Sequence, residues 1–363
     1  MLFDSIPRAF GLDIGDHAVK IVLLERRRDL RGKTNYIIKN YSETILPAGL
    51  IVDGEIRDAL KARIYIKTAL KNAVCGPIKL RGAVVSLPES KTFLQEVIVP
   101  KAVNGSILPL IKEELEKEIP LSVDELYLDW QEVETVSGGT HSKILVSAAP
   151  KALVDSYTSL VESAGLLPMV LEPESLALVR STIDDTEPHA QEETTLIVDI
   201  GSERTSIVFW QNGTVRLSIT SPISGHALTA AIAEKEKVSL DEAERMKITC
   251  GLDPDKCGEK VRPIILANIE ELIKNTRAAL RFHQEHLSID SKIEKIIISG
   301  GGANLNRLEN VLSQELKIKV RHATQPKNII RPKYLAFGPE KYLSFVTATG
   351  LARRAADNQI FNE

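Results

Sequence analysis

Two short turns carry the residues with the clearest chemical potential. Asp13-Ile14-Gly15 lies near the start of the chain, and Asp199-Ile200-Gly201 follows 186 residues later. An aspartate at a strand end can hold Mg2+ directly or through water. The glycine that follows lets backbone amides approach phosphate oxygens. Two such turns facing each other across a cleft would clamp a polyphosphate from both sides. Lys20 lies seven residues after Asp13, on the following strand, within reach of a phosphate. A third turn, Gly300-Gly301-Gly302, follows the strand Lys295-Ile296-Ile297-Ile298 and precedes a helix expected near Asn304. It offers a flat backbone surface and a helix N-terminus to a purine and its α-phosphate.

The elements around the two aspartates repeat. Each is followed by a β-rich segment, Val19 to Leu24 in one case and Ser206 to Trp210 in the other. A turn comes next: the polar stretch Arg26 to Lys33 in the first copy, and Asn212-Gly213, a two-residue hairpin signal, in the second. A third strand closes each set, Tyr36 to Asn40 and Val215 to Thr220. Two similar meanders at half-chain spacing indicate a duplicated fold.

Between the copies, Ile107, Ile111, Leu115 and Ile119 mark one helix stopped by Pro120, and Leu153, Tyr157, Leu160 and Val161 a second closed by Gly165. Strands are expected at 83–87, 92–99, 126–133 and 143–148. The sum is an α+β module of about 90 residues inserted in the first half. A polar stretch from Asp184 to Glu193 links the halves. In the second half, Ser239 and Glu242 form a capping box, and a long helix runs from Pro263 to His286. The expected division is 8–80 for the first lobe, 81–168 for the module and 169–190 for a connecting helix and linker. Segments 194–225 and 291–340 form the second-lobe core, 226–290 its helical part, and 341–363 a helix returning to the first lobe.

The composition narrows the function classes. The 363 residues are 43% hydrophobic and 26% charged, with 46 basic and 49 acidic residues for a net charge of −3. This is a globular chain with no basic excess for nucleic acid. No apolar run approaches the roughly 20 residues of a membrane span, so a partner would have to hold this chain at a membrane. Three cysteines, Cys75, Cys250 and Cys257, argue against a disulfide framework and fit a reducing cytoplasm.

In their order along the chain, the three glycine turns resemble the actin-like ATPase superfamily, which includes actin, DnaK-type chaperones, sugar kinases, FtsA and PilM. The resemblance covers almost the whole chain. Asp13-Ile14-Gly15 through Lys20 resembles the first phosphate motif, and Asp199-Ile200-Gly201-Ser202 the second. Ser299-Gly300-Gly301-Gly302-Ala303-Asn304 resembles the adenosine motif. Glu172-Pro173 with Ala177 looks like the first connecting helix, and Ala348-Thr349-Gly350-Leu351-Ala352 like the second. Glu244 and Lys247 match the pair that holds the ribose and base edge in chaperones. The plainer alternative is an exposed i,i+3 ion pair worth about 0.3–0.5 kcal/mol. The implied fold is α/β: a two-lobed, actin-like (ribonuclease H-like, duplicated) ATPase fold with the α+β module in the first lobe.

The module resembles the PilM family of type IV pilus assembly. The matching stretches are Lys117-Glu118-Ile119-Pro120, Asp124-Glu125, Asp129-Trp130-Gln131, and Val146-Ser147-Ala148-Ala149-Pro150-Lys151 followed by Gly165-Leu166. The opening Phe10 to Gly15 and the stretch Val238 to Glu244 fit as well. The resemblance implies a cytoplasmic protein, peripheral at the inner face of the inner membrane. It implies ATP with Mg2+ between the lobes, with Asp13 and Asp199 on the metal and at most slow hydrolysis. It implies that the N-terminal tail of a PilN-like membrane protein docks, as an extended peptide, in a groove between first lobe and module. It leaves room for a pilus ATPase or platform components as further partners, and for a homo-oligomer.

Some residues depart from the pattern or stay open. The first phosphate turn usually carries Ser or Thr after Asp-x-Gly, whereas Asp16 and His17 stand here. A carboxylate beside a triphosphate is repulsive unless it turns away or meets Mg2+, and His17 would offset it by donating to phosphate. Alternatively both side chains face solvent. Glu172 is the candidate catalytic group for positioning water, or else a helix-start carboxylate beside Pro173. The basic turn with Arg26-Arg27-Arg28, Arg31 and Lys33 either touches anionic lipid or is a solvated hairpin. Two rivals remain. An FtsA-like division scaffold usually ends in a linker and amphipathic membrane helix, and the stretch Ala352 to Glu363 has no such character. A small-molecule kinase needs an acceptor-side Asp base, and none stands out. The paired turns predict that Asp199→Ala weakens Mg-nucleotide binding at least tenfold while the circular dichroism spectrum stays unchanged. Unaltered affinity in a titration would make the second turn irrelevant to nucleotide.

Overall fold

A computed structural model describes residues 9–30, 32–101, 106–135, 140–187, 193–256, 258–287 and 292–357. The chain opens with β1 (Ala9–Ile14), β2 (Ala18–Arg28), β3 (Thr34–Ile45), the short pair β4 (Ile51–Val52) and β5 (Glu55–Ile56), and helix α1 (Ala59–Lys71). Next come β6 (Gly82–Leu87), β7 (Phe93–Pro100), α2 (Leu108–Glu118), β8 (Leu126–Thr135), β9 (His141–Pro150), α3 (Lys151–Ser163), β10 (Leu167–Pro173) and α4 (Glu174–Thr182). The second half holds β11 (Thr195–Ile200), β12 (Thr205–Gln211), β13 (Thr214–Ser221), α5 (Gly225–Glu236), α6 (Leu240–Cys250) and α7 (Gly258–Phe282). It ends with β14 (Lys295–Ser299), α8 (Leu308–Leu316), β15 (Lys319–His322), β16 (Ile329–Ile330), α9 (Pro339–Ser344) and α10 (Val346–Ala356).

The duplication is visible in the strand order. One sheet reads β10-β6-β1-β2-β3, the other β15-β14-β11-β12-β13, before each gains extra strands at its last edge. In both, the aspartate-bearing strand is antiparallel to the next strand in sequence and parallel to a later one. β1 and β11 are covered on both faces. They read as near-continuous apolar runs, as parallel strands must. The hairpin between β12 and β13 has Asn212 and Gly213 both at positive φ, as the Asn-Gly signal predicts.

The module is smaller than the sequence indicated. Its own core joins Val97 and Val99 of β7, Ile111 and Leu115 of α2, and Ile144 and Val146 of β9. The expected boundaries of 81 and 168 enclose too much. β6 is buried along its whole length between β1 and β10, so it belongs to the first-lobe sheet. Helix α3 packs Tyr157, Leu160 and Val161 into the core of Phe10, Leu12 and Ile66. The module is therefore β7, α2, β8 and β9. Although it is inserted in the first half, its sheet continues that of the second lobe through an antiparallel pairing of Leu217 on β13 with Gln95 on β7. The Arg216–Glu96 ion pair lies beside this seam.

Three helix starts also move. α7 begins at Gly258, so Pro263 sits inside it rather than opening it. The chain after the triple glycine makes a 3-10 turn over Gly301–Asn304, and α8 starts only at Leu308, after Arg307 in the left-handed region. Glu172 and Pro173 end strand β10, and α4 starts at Glu174. Cys75 is exposed and free, and Cys250 is buried at the end of α6.

Helices α4 and α10 cross at near-contact distance. A Cβ on Gly350 would lie 1.8 Å from the Ala177 carbonyl oxygen, and one on Gly11 would lie 2.3 Å from that of Ala348. No side chain can give way there, because the obstacle is backbone. Gly350→Ala should cost about 3 kcal/mol through this overpacking. Urea unfolding followed by circular dichroism reads it, and an unshifted midpoint would contradict the packing.

Candidate functional site

The two aspartate turns have the same construction. Gly15 donates its amide to the Ala18 carbonyl at 3.0 Å, and Gly201 donates to that of Arg204 at 2.8 Å. On the neighbouring parallel strand a serine stands level with each aspartate. The Ser86 hydroxyl donates to Asp13 Oδ1 at 2.9 Å, and the Ser299 hydroxyl to Asp199 Oδ1 at 2.6 Å. Each carboxylate is thus held through Oδ1, and among the described residues no hydrogen bond reaches its other oxygen. Lys20 is the register partner of Asp13 on β2, and its charge lowers both aspartates against a burial that pushes them up.

Two further carboxylates share the cleft. Glu89 lies in the turn after β6 and accepts the Ser175 amide at 2.8 Å, which caps the start of α4. Glu174, the first residue of α4, has its proton affinity pushed well above the carboxylate range. Burial is the main cause, and Asp13, Glu89, Asp199 and Asp16 add to it in that order. Burial likewise raises Asp13, Glu89 and Asp199. The cleft holds more negative charge than its own cations offset. A divalent cation would restore the balance. Among the described residues no three His, Cys, Asp or Glu converge as a cage, so such an ion would complete its shell with water and phosphate. The donor set of free carboxylate oxygens suits Mg2+.

The second lobe supplies the rest. The α5 amides of Gly225 and His226 both donate to the second aspartate turn, to the carbonyls of Gly201 and Ser202, each at 2.9 Å. Lys247 Nζ bonds the Gly225 carbonyl at 2.9 Å, the Thr229 hydroxyl at 2.8 Å and Glu244 at 2.7 Å. Burial would raise Glu244, but Lys247 and Thr229 hold it low, with a contribution from His17 of the first lobe. Glu244 and Lys247 are thus tied into a network between helices rather than paired freely on a surface. In the triple glycine, Gly300 adopts a φ of 82°, and a Cβ there would meet the Ile200 carbonyl at 2.3 Å. Gly302 is equally close to the Ile200 side chain, and Gly301 alone faces open space. Two of the three glycines thus let this loop pack on the second aspartate turn. Ala303 is fully buried, with its carbonyl 2.9 Å from His322 Nε2, and Asn304 donates to the Glu340 carbonyl at 3.2 Å.

Asp16 turns away from the phosphate position. Its carboxylate accepts the amides of Asp53 at 3.1 Å and Gly54 at 2.9 Å, and so holds the β4–β5 turn. Asp53 in turn pairs with Arg204 of the second aspartate turn and with Lys91 at 3.0 Å, an ion-pair latch between the lobes. His17 is exposed. Glu172 is not in the cleft set. Arg180 and Arg354 bracket its carboxylate, at 2.7 and 2.5 Å, and hold it low although burial alone would raise it. It ties β10 to α4 and α10, so the catalytic role expected for it does not fit its surroundings. Sequence reasoning missed Ser86, Glu89, Glu174 and Arg204. Ser86 is the one polar residue in the apolar strand Gly82–Leu87, which is a readable signal. Glu174 needed the true start of α4.

The crowding has a measurable consequence. A carboxyl with a raised proton affinity binds its proton more tightly folded than unfolded. Its charged form therefore costs stability as pH rises above the unfolded value of 4.5 and through the folded one. Glu174→Gln should raise the melting temperature at pH 8 by a few degrees, on the order of 1 kcal/mol, and the gain should vanish near pH 4. A gain independent of pH, or a loss at pH 8, would contradict the electrostatic account.

Comparison with known proteins bears on this geometry. The described architecture matches the solved "PilM-PilN type IV pilus biogenesis complex" with a TM-score of 0.80 and 24% identity, over 96% of this chain and 98% of that one. MreB 5 of Spiroplasma citri, bound to AMPPNP, matches with a TM-score of 0.57 at 11% identity over 99% of each chain. The fold is therefore the actin-like ATPase fold. Among curated proteins, the cell division protein FtsA of Enterococcus hirae is 23% identical over 86% of this chain and 77% of its own length. The family model for type IV pilus assembly protein PilM matches residues 11–356. With the duplicated aspartate turns and the reduced module in place, that match is decisive: the chain belongs to the PilM family of type IV pilus assembly proteins.

Proposed function

We propose that this protein is a nucleotide-dependent scaffold that takes ATP and Mg2+ between its lobes and grips the cytoplasmic tail of a PilN-like inner-membrane protein. The observation that carries the nucleotide part is the mirrored pair Asp13–Ser86 and Asp199–Ser299 facing one overcharged cleft. Asp13 and Asp199 would hold the cation, and the amides of both turns the phosphates. Lys20 and Lys247 would offset phosphate charge, and Gly301 would face the base. Bound Mg2+ supplies the positive charge that the carboxylates lack. Glu174, buried beside Asp13, Glu89 and Asp199, would be the carboxylate to orient water in any slow hydrolysis. MreB's nucleotide-bound structures and the PilM–PilN complex support the two ligands by analogy of fold.

A cavity of about 260 Å3 supports the tail site. It lies where the module (Gln131, Leu145), α4 (Leu176, Val179) and the β12–β13 hairpin (Trp210, Val215) meet. Its walls mix apolar anchors with charge. Arg353 lines it, with its guanidinium held by the Arg180 carbonyl and Asp185. Because first lobe, module and second lobe all contribute, closing the lobes changes the cavity, and nucleotide can bias tail affinity only through that change.

A fluorescent peptide of the PilN-like tail titrated with and without Mg-ATP tests the reading. Binding is expected, with an affinity that changes on Mg-ATP addition. Leu145→Glu should weaken the peptide at least tenfold and leave nucleotide affinity unchanged. Absence of peptide binding in both nucleotide states would sink the assignment.

A further inference from the structure

The basic hairpin tip noted in the sequence has no part in the cleft or the cavity. Strands β2 and β3 pair as far as Arg28 with Thr34. Among the described residues, β2 runs on through Glu25 to Arg28 with β3 alone as its paired neighbour. The tip is a built turn: Gly32 donates to the Asp29 carbonyl at 3.0 Å, and the Asp29 carboxylate accepts the Lys33 amide at 2.9 Å. That bond occupies one acidic side chain of the tip, which stays exposed. At the apex Leu30 is fully exposed, at 108% of its reference area. Arg27, Arg28 and Lys33 are exposed around it. Over residues 25–33 the sequence has five basic residues and two acidic ones, in a chain of net charge −3. The second acidic residue, Glu25, is already shared between Arg27 at 2.5 Å and Lys39 at 3.0 Å.

A chain of contacts places this tip beside the proposed tail site. Arg353, in the cavity wall, lies over the Tyr36 ring at 5.1 Å. The Tyr36 hydroxyl bonds Asp357, and Asp357 pairs with Arg26 at 3.6 Å, the first of the basic run. From Arg26 the apex is four residues on, about 13 Å at strand rise. If the cavity holds the tail of a membrane protein, the bilayer from which that tail emerges is the surface nearest the tip.

We propose that the β2–β3 tip is a second contact with the membrane: Arg27, Arg28 and Lys33 meet anionic phospholipid headgroups, and Leu30 enters the apolar boundary beneath them. Each basic residue that reaches an anionic surface strengthens partition about fivefold, and one apolar apex adds a second weak signal. Neither anchors alone. Together they orient a chain already tethered through its partner, because the tether raises the effective concentration of bilayer at the tip. The inference rests on the tail reading for its role and on the tip alone for its chemistry.

The test uses the full chain without any tail peptide. Co-sedimentation at low ionic strength with phosphatidylglycerol vesicles should exceed that with phosphatidylcholine vesicles, and should fall as salt is added. The triple variant Arg27→Glu/Arg28→Glu/Leu30→Glu should lose at least tenfold of the phosphatidylglycerol binding. Its tail-peptide affinity in solution should equal that of the wild type. A second variant, Leu30→Trp, should show blue-shifted emission over the wild-type background when anionic vesicles are added. Wild-type binding no stronger to phosphatidylglycerol than to phosphatidylcholine, undiminished binding by the triple variant, or unshifted Trp emission would each overturn the proposal. Failure of the wild type to bind tail peptide would remove the tail reading while leaving the vesicle result to stand or fall alone.

Discussion

Carboxylates that repel one another across an enclosed cleft set the terms for the rest of this structure. Asp13, Asp199, Glu89 and Glu174 come from four separate elements, and burial alone would protonate or scatter them. The fold keeps them together with fixed donors: two serine hydroxyls, the first turn of α4 and one lysine. Rigid strands on both sides prevent the relaxation that would relieve the strain. A site of this kind is destabilising when empty and is completed by cationic charge. Under the proposed function, that is the electrostatic condition under which the Mg2+ complex of the nucleotide would be favoured over the free anion.

Duplication is the economical way to build such a site. Five strands in the same order present an aspartate at the same depth in each lobe, each with a level serine on the parallel neighbour. The departures from symmetry show what each lobe adds. The first lobe uses Asp16 to hold a turn whose Asp53 reaches Arg204 of the second. The second lobe contributes Lys247, braced by Glu244 and Thr229. The crossing of α4 and α10 on bare glycine backbone fixes the helix that carries Glu174.

Much of this was legible in the sequence, and the limits have physical causes. The aspartate turns, the Asn-Gly hairpin and the apolar strands declare themselves because each depends on short-range rules. Glu174 escapes sequence reasoning because a two-residue difference in where β10 yields to α4 decides which carboxylate lies beside Asp13 and Asp199. Capping and pairing, not local composition, set that boundary. The role of Asp16 was undecidable from sequence, since its partners are amides 37 and 38 residues away. The boundaries of the module were overestimated because β6 and α3 are apolar in any case. Only the pairing of β6 with β1 and the burial of Tyr157 show which core they serve.

The module's attachment has a mechanical consequence. Its chain enters and leaves through the first lobe, yet its sheet is hydrogen-bonded to the second at the β7–β13 seam. It is therefore a strut with its two ends on different bodies. Any rotation between the lobes must either shear that seam or swing the module, and the seam is narrow while the Arg216–Glu96 pair beside it is largely buried. Small angular changes at the cleft are thus converted into displacement at the far edge of the sheet, where β8 lies, with the seam as fulcrum.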